Sequence, residues 1–208
     1  MHESTASADL SYLKRLAQAG RGGPAPFLPL MAVFGLAYGL CLLLIYGSLV
    51  IDGTPDGGGI FYPWSHYAPL AAHIAFLLTA AWTLWRLISS RGRGLSRTAS
   101  AAWSGAFFSL VTIFAALRLY TQHEPPSDAV YTGLFLPSIL LTLWGAAWWV
   151  SALSTDKRFL LIVAVSSFAA AIAAAIIGNT TELLLLAALS LLTLAFVPAA
   201  YLMWTQHR

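Results

Sequence analysis

Charge is what this sequence has least of. Among 208 residues there are only 11 Lys and Arg and 8 Asp and Glu, 9% of the chain, against 59% hydrophobic residues. A soluble domain coats itself with about a quarter charged residues, so a water-soluble fold is excluded. Cysteine is nearly absent too. Cys41 stands alone in an apolar run, which excludes an intramolecular disulfide and a cysteine-rich metal site. Asp and Glu are missing from the interiors of the apolar runs, so carboxylate-pair catalysis and carboxylate proton relays lack their material. Both lysines, Lys14 and Lys157, lie outside the runs, which removes a Schiff-base retinal site. The net charge of +3 is not gathered on one face, as a nucleic-acid partner would require.

What the sequence does have is length of apolar chain. A hydrocarbon core about 30 Å thick needs roughly 20 residues of helix to cross it. Six stretches qualify, approximately 27–51, 67–89, 98–120, 129–153, 159–178 and 183–204. None alternates apolar with polar, as barrel strands would. Short punctuation separates them: the Gly and Pro cluster Asp52 to Gly59, the basic Arg91 to Arg97, Glu124-Pro125-Pro126, the polar Ser154 to Lys157, and the turn Asn179 to Glu182. The expected fold is therefore all-α, a polytopic bundle of six transmembrane helices in one domain (27–204), with an N-terminal segment (1–26) and a short tail (205–208).

Ten of the eleven basic residues fall in the tail before the first span, the second and fourth connections, and the C-terminus; Arg118 is the exception. Short cytoplasmic loops retain Lys and Arg, so both termini are expected in the cytoplasm and the protein in the inner membrane. The first run exceeds the apolar core of a cleaved signal, and no small-x-small site follows it, so it is expected to remain as a span.

Ser7 to Gln18 (SADLSYLKRLAQ) opens with capping residue types and places Leu10, Leu13 and Leu16 at helical spacing, ahead of the breakers Gly20, Gly22, Gly23 and Pro24. An amphipathic helix is expected, either as a surface or partner-docking element using Lys14 and Arg15, or as a leader that sets orientation. The form SADLSYLKRLAQAGRGGP resembles the openings of uncharacterised multi-pass inner-membrane proteins of proteobacteria. That resemblance covers under a tenth of the chain and implies location alone.

Ionisable groups inside spans are costly and so are functional candidates. His73 lies within the second span and Arg118 near the outer end of the third, with His66 and Asp128 at about the same level. One reading is an outward-facing polar vestibule for a small solute, built on His73, Arg118, His66 and Asp128. The other has Arg118 reaching the outer headgroups and His73 bonding a neighbouring helix. His66 and His73 share one helix face two turns apart, which does not suit axial haem ligation. His123-Glu124 is too little for a ligand set, so no metal and no cofactor is expected. A rhomboid-type serine protease needs GxSG in a span. Ala102-Trp103-Ser104-Gly105 lacks the first Gly, and the sixth span has no His.

Gly35 and Gly39 form a small-xxx-small face in the first span, which serves helix packing within the bundle or an interface with a partner. Pro137 and Pro198 fall inside the fourth and sixth spans and remove backbone hydrogen bonds there. Most tryptophans lie toward the cytoplasmic half, where they are expected to anchor at headgroup level, with Trp144 deeper. Leu-Leu-Thr recurs at Leu77, Leu140 and Leu191, at unequal spacings that favour chance over an ancestral repeat. The functional expectation is a non-enzymatic accessory, assembly or interaction subunit whose partners are the bilayer and another membrane protein or a second copy, and not nucleic acid. The alternative is a small-solute permease or channel.

Overall fold

The computed structural model describes residues 27–53, 59–89, 97–121, 136–155, 157–178 and 180–206. Among them every regular element is helical. α1 (Leu28–Gly47) runs on through a π-helical turn at Ser48–Asp52; α2 covers Tyr62–Ser89, α3 Arg97–Thr121, α4 Leu136–Thr155 and α5 Phe159–Ile177. A last rod joins α6 (Thr181–Ser190), a π-helical segment (Leu191–Phe196) and α7 (Val197–Gln206).

Five of these helical stretches are long and apolar enough to cross a membrane: Leu28–Asp52, Tyr62–Arg86, Leu136–Thr155, Phe159–Ile177 and Thr181–Thr205. That is the signature of a membrane protein. α3 is as long, but its apolar stretch is the shorter Ala101–Ile113. The expected N-terminal amphipathic helix and the stretch 129–135 lie outside the described residues.

The first connection is tied by Asp52. Its carboxylate accepts the N–H groups of Ile60 at 3.0 Å, Phe61 at 2.9 Å and Tyr62 at 3.0 Å. Those are the donors that a helix start leaves unpaired, and negative charge is favoured there. α2 consequently begins at Tyr62, ahead of the expected Tyr67. Any Cβ at Gly59 would run into the Asp52 side chain, and Gly53 adopts φ +65° to turn the chain out of α1.

The compact part of the bundle is α1, α4, α5 and the last rod. A Cβ at Gly35 would stand 2.6 Å from the Phe196 nitrogen and 2.7 Å from the Leu191 oxygen, and one at Gly39 2.8 Å from the Leu192 side chain. The glycine face of α1 therefore seats the last rod, backbone on backbone, as small residues permit where no hydrophobic effect drives helices together. Gly145 does the same for the Phe168 ring between α4 and α5.

The last rod bends its ladder where Pro198 requires it. Proline has no N–H for the Leu194 carbonyl and crowds it. The chain responds with the π-helical segment, in which the Val197 N–H reaches the Leu192 oxygen. The freed Leu194 carbonyl is taken by the Trp148 indole N–H at 2.9 Å. Trp148 is fully buried, and Trp103 lies edge-on to it at 4.7 Å, its own N–H donating to Ser151 Oγ at 2.9 Å. Trp103 and Trp148 are thus buried hydrogen-bonded wedges, a correction to the expected headgroup anchors. Their N–H groups have partners inside the bundle, which removes the reason to seek water. Trp82, Trp85, Trp149 and Trp204 are exposed.

Candidate functional site: an apolar cavity between the helices

α2 packs against α1, and α3 against α4. α2 and α3 do not pack along their lengths; they meet through the rings of Phe76 and Phe107, centroids 6.1 Å apart. The space so left is a cavity of about 540 Å³. Its walls follow from helical spacing, since residues three or four apart share a face. α1 supplies Phe34, Tyr38 and Leu42; α2 supplies His73, Phe76 and Leu77; α3 supplies Phe107, Leu110 and Val111. α4 contributes Leu136, Pro137, Leu140 and Leu141, and the last rod Ala187 and Leu191.

One end is closed by aromatic rings. Phe34 stands edge-on to Phe76 at 5.3 Å and to Trp144 at 5.0 Å, geometries that the ring quadrupoles favour. Beyond these rings lies a second void of only about 30 Å³, reaching Phe27, Met31 and Trp103. The aromatic layer therefore separates a large chamber from a small one.

Among the described residues the polar side chains in the large chamber's wall are His73 and Tyr38, whose rings meet edge-on at 5.3 Å. His73 Nδ1 lies 2.6 Å from the Pro69 carbonyl oxygen. A carbonyl only accepts, so Nδ1 carries the hydrogen, and in the neutral ring Nε2 is left with its lone pair. Among the described residues, neither Nε2 nor the Tyr38 hydroxyl has a protein hydrogen-bond partner.

The residues expected to form a vestibule are distributed unevenly. His73 lines the chamber. His66 is exposed on α2, between the rings of Tyr62 at 6.3 Å and Tyr67 at 5.1 Å, and takes no part in the wall. Arg118 stands in the last turn of α3, but its side chain and the whole of Asp128 lie outside the described residues. Among the described residues no three His, Cys, Asp or Glu side chains stand together as metal ligands.

Tyr38 escaped the sequence reading, although it sits inside the Gly35 and Gly39 motif. It stands four residues from Phe34 and four from Leu42, on the stripe of α1 that lines the chamber. The Leu-Leu-Thr triplets also converge on it: Leu77, Leu140, Leu141 and Leu191 all line the wall. The threonines satisfy their hydroxyls locally, Thr79 on Ala75, Thr142 on Ser138 and Thr193 on Leu189. Comparison with protein-family models, curated proteins and solved structures returns no match. The functional reading rests on the chemistry of this chamber.

Proposed function

We propose that this protein is a non-enzymatic, six-span subunit of the inner membrane, with both termini cytoplasmic and α3 crossing alongside the five more apolar stretches, that holds a lipophilic guest between α1, α2, α3, α4 and the last rod. The carrying observation is the chamber of about 540 Å³ with an almost wholly apolar wall. Its size falls within the range of small-molecule sites. An apolar void holds water poorly. The chamber is open on one side, where His73, Leu77 and Val111 are exposed, and in a bilayer an apolar molecule fills such a space more readily than water does. A guest from the bilayer enters sideways between α2 and α3. A small-solute permease is the weaker reading, because among the described residues of the wall a polar solute would meet the side-chain polar groups of Tyr38 and His73 alone.

Native mass spectrometry of the protein released from mild detergent tests this. The wild type is expected to retain a discrete apolar adduct, and the pair Val111→Trp and Leu140→Trp, which projects two indoles into the chamber, to lose it while eluting like the wild type. A wild type that carries no adduct, or a paired variant that keeps it, contradicts the proposal. The topology is checked by a reporter fused after Arg208, expected to be active in the cytoplasm and silent in the periplasm.

A further inference from the structure

We infer that the guest carries a single neutral hydroxyl head, of the kind borne by a long-chain or isoprenoid alcohol, which donates to His73 Nε2 and accepts from the Tyr38 hydroxyl. This rests on the chamber being a lipophile site and adds the chemistry of the guest's head.

The argument starts at Pro69. Its carbonyl fixes the His73 ring through Nδ1 at 2.6 Å, so the ring is held in one tautomer and its second nitrogen is an acceptor. Tyr38, across the 5.3 Å edge-on contact, brings a hydroxyl that either donates or accepts. Both groups belong to the wall of a chamber otherwise built of aliphatic and phenyl side chains. A polar atom facing apolar surroundings without a partner is costly, and the pair is complementary to a group that offers one donor and one acceptor on the same atom. A hydroxyl is the smallest such group.

The wall brings no Lys, Arg, Asp or Glu side chain to this pair among the described residues. A phosphate or carboxylate head would enter without a counter-charge, at high desolvation cost. A plain hydrocarbon would leave both protein groups unpaired. The aromatic layer lies directly beside this pair, Tyr38 standing 4.6 Å from Phe34 and 6.1 Å from Phe76, so the apolar tail runs the other way, past Leu42, Val111, Leu136 and Pro137.

The test offers the full-length protein an equimolar mixture of farnesol and farnesyl methyl ether in detergent and reads the ratio of the two bound forms by native mass spectrometry. The ether keeps the acceptor oxygen and loses the donor. In the wild type the bound ratio should exceed the ratio in the micelles by about fivefold, the worth of one hydrogen bond. His73→Phe keeps a ring against Tyr38 and removes Nε2, so the bound ratio should fall to that of the micelles. Tyr38→Phe should weaken both probes equally and leave the ratio unchanged. If the wild type and His73→Phe bind both probes with the same ratio, the hydroxyl assignment is overturned while the lipophile site stands. If the wild type binds neither, both readings fall. A wild-type ratio equal to that of the micelles overturns the assignment without recourse to any variant.

Discussion

The two sides of this bundle are built on different principles. Where α1, α4 and the last rod meet, glycine, alanine and serine bring backbones together and buried tryptophans close the remaining gaps with hydrogen bonds. On the side of α2 and α3 the helices touch their neighbours along one edge only. Of the most apolar stretch of α2, 17% of residues are buried, against 44% for α4. The contrast teaches that close packing and cavity formation here come from one sequence device applied unevenly: small residues where backbones must approach, large aromatics where helices must be held apart.

Substitutions should break this contrast in a graded way. The largest effect is expected for Gly35→Val, whose Cβ would collide with backbone atoms at Phe196 and Leu191 that cannot yield as a side chain would. Overpacking of this kind costs ~3 kcal/mol or more, and the folded fraction recovered in detergent should collapse. Next comes Trp148→Phe, which orphans the Leu194 carbonyl freed by Pro198 and opens a void. A loss of about 3 kcal/mol is expected, read as a lowered Tm. On the loose side the signs reverse. Thr83 of α2 has the one buried side-chain oxygen without a partner among the described residues, so Thr83→Val should raise stability by up to ~1 kcal/mol. Smallest is Gly105→Ala in α3, where a Cβ meets nothing within 4 Å. A gain of roughly 0.5 kcal/mol from reduced backbone freedom is expected in the same unfolding assay. A destabilised Gly105→Ala would mean that α3 packs more closely than the contrast allows.

The helical stretches were readable because hydrocarbon imposes length and apolarity directly on sequence, and the glycines of α1 announced a close approach without saying to what. Other features depended on partners far apart in the chain. Asp52 read as part of a turn, because its role requires the N–H groups of Ile60 to Tyr62 to come round to it. Trp148 read as an anchor, because the carbonyl it serves is released by Pro198, fifty residues later. α3 read as a span equal to the rest, yet Ser104, Gly105, Ser109 and Thr112 dilute its apolar character. The chamber was hidden for the same reason: no local pattern tells that Tyr38, His73, Leu110 and Leu140 face one another.

The most direct measurement is a cryo-electron microscopy map of the wild-type protein in lipid nanodiscs, resolved well enough to separate side chains. The account predicts continuous elongated density between Tyr38, His73, Leu110 and Leu140, with its polar end at the imidazole, beside the rings of Phe34 and Phe76, and its tail running away from them toward Leu42 and Leu136. A chamber closed by α3 lying along α2, or one filled by a chain of discrete waters, would contradict it.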